Sequence, residues 1–450
     1  MAGIVSLRER LLSGGLWSLV GRGATALTAL TVNALLARLL PPDEMGAYFI
    51  VLSIVSVASI LAQLGLNFSI VRLVAESIGK NEQGRAHDAI CLVLRCGGMG
   101  ALFFAGIFAI GAGGWIALDI FHSSMIDGII GLVAILIIAV TYQQLIAEIF
   151  RGLHDIRYSA IFGGLLGNTI SLVVFAIFFT IQAHIDIFNV FLFSFLASAT
   201  SSLIAGTVVW GRLKTIKGKG SLTTGELAAI TWPNWISQVM LVIVCQADIW
   251  IVGFFQSQED VAIYGASVKV AQATMLVTGL LYAFVPPIIA DMYAKNKMDV
   301  LERVLRGSAM ANAIIVFPVA IVFLTYSDLV LNLIYGGYYA KGGQVLFFLT
   351  VGLMINVLTG LRGSVLIMSG YERDMMKISI FGGSLNIILC VVGAKYWGIN
   401  GVAVAAMTSM ATQSLIELMV VKIRLDIWTY VSMHEFITQV NKFFALRQSK

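Results

Sequence analysis

Long apolar runs, each bounded by a short polar stretch, recur from residue 16 to residue 421 of this chain. Twelve are read, at about 16–40, 46–66, 89–112, 129–148, 159–181, 187–211, 229–254, 261–289, 307–326, 343–368, 378–397 and 400–421. A helix rises ~1.5 Å per residue, so each run is long enough to cross a hydrocarbon core about 30 Å thick. Inside a bilayer the backbone has to satisfy its own hydrogen bonds, which makes such runs helical. The pattern predicts an all-α polytopic membrane protein.

The polar positions within these runs carry the candidate chemistry. In the first run, Leu16 to Leu40, Arg22 and Asn33 are eleven residues apart. At about 100° per residue they return to nearly the same face, with Ala26 and Ala29 between them. A cation inside a span costs on the order of 3 kcal/mol unless it meets water or a partner. This face is therefore expected to line an aqueous cavity for an anionic substrate. In the seventh run, Asp248 shares a helical face with Leu241, Ser237 and Asn234. Lys269 in the eighth is its natural pairing partner, with Gln272 one turn on. Asp248 is read as an ion-coupling group or as half of that structural pair. Arg362 in the tenth run is a further cavity candidate. Arg38 and Arg95 read as interface or snorkelling residues. Glu148 and Glu417 lie at span ends, as do most of Trp17, Trp210, Trp232, Trp235, Trp397 and Trp428, and these read as interface residues.

The connecting segments sort by charge. Counted along alternate connections, 22 of the 29 Lys and Arg fall on one side of the membrane and 2 on the other. The basic side is cytoplasmic by the positive-inside rule, and so are both termini. The longest basic connection, 212–228, divides the chain into a six-helix lobe at 1–211 and a second at 229–424. A cytoplasmic amphipathic tail follows at 425–450. The halves repeat: Asp43-Glu44 with Tyr48 recurs as Glu259-Asp260 with Tyr264, and Phe162-Gly163-Gly164 with Asn168 recurs as Phe381-Gly382-Gly383 with Asn386. Six spans per repeat start both copies on the same side, so the repeats are parallel, as in an alternating-access carrier.

Composition narrows this picture. The chain is 59% hydrophobic and only 12% charged, against about a quarter charged in a soluble domain, which leaves no room for a sizeable soluble part. The first run is too long for a signal-peptide core and no small-residue cleavage site ends it, so it reads as an uncleaved span. Cys91, Cys96, Cys245 and Cys390 all fall in spans and give neither a disulfide framework nor a metal-ligand spacing. No G-x-x-x-x-G-K-[ST] pattern occurs, so ATP hydrolysis by this chain is not expected. No cofactor, metal, catalytic residue or nucleic-acid partner is expected.

The stretch ARLLPPDEMGAYFIVLSIVSVASILAQLGLNFSIVRLVAE (37–76) carries Ala37, Arg38, Leu40, Gly46 and Tyr48, then Leu64-Gly65-Leu66, then Arg72, Ala75 and Glu76. It resembles the first signature of the bacterial polysaccharide-transport flippases. These are Wzx-like members of the multidrug/oligosaccharidyl-lipid/polysaccharide (MOP) exporter superfamily. Arg151-Gly152-Leu153-His154 with Tyr158 is similar to that family's loop between the fourth and fifth spans. The twelve-span length and the six-plus-six division agree over almost the entire chain.

The resemblance implies a multi-pass protein of the bacterial inner membrane. It would move an undecaprenyl-diphosphate-linked oligosaccharide unit from the cytoplasmic to the periplasmic leaflet, for O-antigen or exopolysaccharide biosynthesis. It also implies that the first, second, seventh and eighth spans line the cavity. Arg22 and Lys269 are then the expected headgroup contacts, since guanidinium grips a diphosphate bidentately and an ammonium acts as a point charge. Polysaccharide polymerase or chain-length machinery is a candidate partner for the tail. Two other readings stay open. A MATE-like drug or cation antiporter of the same superfamily would place a carboxylate on the first helix. A membrane glycan polymerase or transferase would need a carboxylate or His constellation in a large outer loop.

Overall fold

The computed structural model describes residues 2–80, 82–182, 184–215 and 222–432. Every regular element among them is helical. Ten helices among the described residues are long and apolar enough to cross a membrane. The last of these, Glu372–Leu425, contains Gly398 at φ +60°, ψ −146°, where the helix breaks. Ser409 Oγ donates to Gly382 O at 3.0 Å across that break, so the two arms run antiparallel and are the eleventh and twelfth expected spans. A Cβ on Gly393 would stand 2.5 Å from the Gly401 carbonyl, so the arms touch backbone to backbone. The expected eighth span is two shorter helices, Gln258–Ala273 and Met275–Ala294, interrupted at Thr274.

Local chemistry explains the other ends. The second-span helix, Pro42–Ala62, opens with a proline in its first turn, where no N–H is needed, and carries Asp43 and Glu44 at its positive end. Glu44 Oε2 also accepts the Ile187 amide at 2.9 Å, tying the start of the sixth span to the second. After this helix ends at Ala62, Leu64 and Gly65, both at positive φ, turn the chain before Leu66–Gly79 begins. The sequence repeat survives in place: Glu259 and Asp260 occupy the first turn of Gln258–Ala273 as Asp43 and Glu44 do theirs, and Tyr48 and Tyr264 are both buried.

Two compact units result, Met1–Ala262 and Ile263–Lys450. The first packs Leu66, Ile70, Val74, Ile90, Val93, Leu145, Ile149 and Phe150 into one apolar cluster, with Phe150, Tyr158 and Phe162 stacked at 5.4–5.9 Å. The second packs Val285, Ile289, Leu301, Leu305, Val365, Leu366, Ile378 and Val421. Side chains such as Ile110 (89% exposed) and Ile423 (78%) point outward, which only a lipid solvent makes favourable. The division at 262 lies one span beyond the basic connection 212–228, because the seventh-span helix, Thr224–Phe255, packs on the second span. Residues 216–221 of that connection, and the expected tail from residue 433 onward, lie outside the described residues.

Candidate functional site

The first-span helix, Ala2–Leu39, is set against the fifth span by small residues. A Cβ on Gly21 would stand 2.5 Å from the Ala160 Cβ, and Thr25 faces Gly164, whose φ of +145° kinks the fifth span. Asn168 Nδ2 donates to Thr25 O at 3.3 Å. This seating leaves Arg22 exposed. In the fourth-span helix, Ile130–Gly152, Arg151 Nη1 lies 2.8 Å from the Glu148 carboxylate. Glu148, expected at an interface, is 21% exposed and paired with Arg151.

Asn33 is placed differently from its expected role. It is 6% exposed and accepts a hydrogen bond from the Tyr48 hydroxyl at 3.1 Å. A buried amide needs a partner, and the second span supplies one, with Tyr48 in turn packed on Phe49 and Phe191. Arg22 and Asn33 share a helical face, but the face is open at Arg22 and covered at Asn33.

Asp248 is half-buried and belongs to the first unit. Leu241 and Asn234, expected on its face, are both exposed, so that side of the seventh span is open within its unit. Lys269 belongs to the second unit, where it is half-buried, and Gln272 beside it is exposed.

Arg362, a cavity candidate from the sequence, is instead 4% exposed inside the second unit. Its Nε lies 2.9 Å from Glu417 Oε2. Nη1 donates to Thr359 Oγ1 at 2.7 Å, Gly360 O at 2.9 Å and Asn356 O at 3.1 Å, and Nη2 donates to Ser414 Oγ at 2.6 Å. The cause is a break in the tenth span. Gly360, at φ +76°, ends the helix Gly343–Thr359 and frees carbonyls that a guanidinium fork satisfies. Glu417, expected at an interface, is buried as its counter-ion and also accepts from Gln413 Nε2 at 2.9 Å. After the last span, residues 426–432 fold over the same break: Thr429 Oγ1 donates to Thr359 O at 2.8 Å and Val431 N to Leu358 O at 3.0 Å.

Three features are absent from the sequence reading. Trp235, expected in an aromatic belt, donates to Leu61 O at 3.0 Å. Trp250 donates to Ser53 Oγ at 2.7 Å. Gln63 and Gln144 join their side-chain amides inside the first unit. Glycines at 46, 65 and 253 are the sequence signal for close helix approach that marks the first two.

These features can be set beside known proteins. A family model described as polysaccharide biosynthesis protein matches residues 11–293, more than half of the chain. A probable low-salt glycan biosynthesis flippase of Haloferax volcanii is 25% identical over 225 residues, 48% of this chain and 47% of that protein. The chain thus aligns with about half the length of that curated relative. Among solved structures, an inward-facing MATE family multidrug transporter of the MOP superfamily is similar at TM-score 0.71 and 15% identity, covering 89% of this chain and 94% of that one. A MOP superfamily transporter from Pyrococcus furiosus, described as having a binding pocket of reverse polarity, gives 0.63 at 13% identity, covering 93% and 95%. A Vibrio cholerae MATE transporter gives 0.64 at 16%, covering 94% and 99%. With its helices folded as in the MOP superfamily, the chain belongs to the polysaccharide biosynthesis protein family.

Proposed function

We propose that this protein is a flippase that moves an undecaprenyl-diphosphate-linked oligosaccharide unit across the bacterial inner membrane, from the cytoplasmic to the periplasmic leaflet. The observation that carries this reading is Arg22, a cation exposed on a first span that bears no carboxylate between residues 16 and 40. A diphosphate needs cations along an apolar path, and arginine meets it with two parallel hydrogen bonds. The family and the glycan flippase relative support the same substrate class. Arg22 is the headgroup contact of the first six-helix lobe, and Lys269 with Gln272 that of the second. Asn33 and Arg362 are committed to buried partners and take structural roles. Asp248, on the open side of the seventh span, is the ion-coupling group, exchanging a proton or cation as substrate leaves.

The MATE-like antiporter is the second reading, and the half-buried Asp248 is the observation that favours it. The test is deletion of the gene in its source organism, scored for surface glycan and for lipid-diphosphate-linked glycan held in the cytoplasmic leaflet. Wild type, Arg22→Ala and Lys269→Ala are returned on plasmids. Linked glycan that accumulates inside and is cleared by wild type alone is the expected result. Normal surface glycan with a fall in drug tolerance would overturn the flippase reading in favour of the antiporter.

A further inference from the structure

The two halves of the chain carry one arginine twice, with different surroundings. Arg151-Gly152, at the end of the fourth span, recurs as Arg362-Gly363 in the tenth. The sixth span recurs in the twelfth: Thr200, Ser202-Leu203-Ile204 and Val208-Val209 return as Thr412, Ser414-Leu415-Ile416 and Val420-Val421. In this register Glu148 stands where Thr359 does, and Ala205 where Glu417 does. The carboxylate has changed helices. In the second unit Glu417 on the twelfth span draws Arg362 across, with Nε at 2.9 Å, while Nη1 donates to Thr359 Oγ1 at 2.7 Å. In the first unit Glu148 sits on the arginine's own helix, and Arg151 Nη1 lies 2.8 Å from it. Ala205, 1% exposed in the apolar cluster of Ile149 and Phe150, gives the sixth span no carboxylate at that point.

The backbone diverges with the side chains. Gly360, at φ +76°, breaks the tenth span just before Arg362, whereas its counterpart Ile149 continues a helix that runs to Gly152. An unbroken last turn leaves Arg151 on the helix surface, its side chain 46% exposed against 5% for Arg362. A buried ion pair holds its partners because separating them strands a charge, but a surface pair contributes little and exchanges readily for another anion. Two close seats on the fifth span place Arg151 relative to Arg22. A Cβ on Gly21 would stand 2.5 Å from the Ala160 Cβ, and one on Gly163 3.2 Å from the Ala147 Cβ. Ala160 and Gly163 share one helical turn, so Arg22 and Glu148 flank that turn. Arg151 follows Glu148 by three residues, about 4.5 Å further toward the basic side of the membrane.

We propose that Arg151 binds a lipid-borne phosphate at the inner end of the first unit, while its copy Arg362 is withdrawn into the fold of the second. A guanidinium has five donors in a planar fork, and phosphate accepts two of them at once. The phosphate belongs either to a prenyl diphosphate or to an anionic phospholipid headgroup. Under the flippase reading, on which only the choice of the prenyl diphosphate rests, the substrate meets Arg151 before Arg22.

The test measures binding of farnesyl diphosphate to the full chain in phosphatidylcholine nanodiscs by calorimetry, with empty nanodiscs as the blank. Arg151→Gln should weaken binding about tenfold or more, the worth of one charge-assisted hydrogen bond, and Arg151→Lys should recover part of it. Glu148→Gln removes the competing carboxylate and should tighten binding. A loss there too would mean that the pair is structural, and overturns the proposal. Lys295→Gln, an exposed and paired cation of the second unit, should change nothing. Equal affinity of wild type and Arg151→Gln, or an equal loss in Lys295→Gln, also overturns it. Where Arg151→Gln does not fold, the opposite shifts expected of Arg151→Lys and Glu148→Gln decide. Phosphatidylglycerol in the nanodiscs separates the two sources. Competition that lowers the affinity of wild type but not of Arg151→Gln supports the phospholipid headgroup, and its absence supports the prenyl diphosphate. If deleting the gene traps no linked glycan, the flippase reading fails while the Arg151 dependence of binding still decides this one.

Discussion

Replacing Glu417 by Leu removes the counter-ion of a cation that has nowhere else to go. The Arg362 and Glu417 side chains are each 5% exposed and lie 2.9 Å apart. Guanidinium stays protonated, so Arg362 cannot relieve the loss by giving up its charge. Breaking one side of a buried pair costs about 3–5 kcal/mol. Four hydrogen bonds, to Thr359, Gly360, Asn356 and Ser414, remain to solvate the cation and put the expected loss near the lower end, about 3 kcal/mol. For a unit of this size that corresponds to roughly 6–12 °C in apparent Tm. Arg362→Met should cost less, about 2 kcal/mol, since the orphaned carboxylate keeps Gln413 as a donor. The double variant carries no buried charge and should be more stable than Glu417→Leu alone, a coupling of about 2–3 kcal/mol. The assay is loss of the monodisperse peak on size exclusion after heating detergent-solubilised protein, run as a double-mutant cycle. Losses that simply add, or a Glu417→Leu variant within about 1 kcal/mol of wild type, the size of an exposed pair, would refute the reasoning.

Other consequences are open to direct measurement. Arg22→Ala should lower flipping by about tenfold or more, the worth of one charge-assisted hydrogen bond, and Arg22→Lys should restore only part of it; a Lys variant as active as wild type would remove the bidentate contact. Gly65→Ala should destabilise the fold by more than the ~1–2 kcal/mol of a left-handed residue, read as a lower apparent Tm, because its methyl also meets Thr231 O, whereas Gly106→Ala, with nothing nearby, should be neutral or slightly stabilising. Gly393→Leu should prevent the last helical hairpin from closing and abolish folded protein, read as loss of the monodisperse peak. Deleting residues 426–450 should lower thermal stability more than deleting 433–450, since only the longer deletion removes the bonds from Thr429 and Val431. If the shorter deletion leaves glycan export intact, polymerase docking by the tail is ruled out.

What the sequence makes legible here follows from the solvent. A bilayer forces apolar helices, so span positions could be read from runs of side chains, and the reversal at Gly398 falls in the gap expected between the last two. A helical wheel also found that Arg22 and Asn33 share a face. It could not show that Tyr48 covers one end of that face, because what covers a residue comes from another helix. No local spacing ties Arg362 to Glu417, and the break that demands a guanidinium depends on a single backbone angle at Gly360. A tryptophan near a span end reads equally well as an interface anchor or as a helix clamp. Trp235 is the second because Gly65, far away in the chain, lets the backbones meet.

The fold-back of residues 426–432 bears on how the protein is made. The Leu358 and Thr359 carbonyls in the tenth span take their donors from Val431 and Thr429, some 70 residues later. The ribosome must therefore deliver two more spans before the tenth can be completed. Until then the break at Gly360 holds unpaired carbonyls, within hydrocarbon or at its edge, each at a cost of several kcal/mol. The nascent second unit thus has a built-in vulnerable interval, during which the insertion machinery or a quality-control protease would meet an unfinished helix. Premature termination shortly before residue 429 would leave every span inserted and those two carbonyls without their donors.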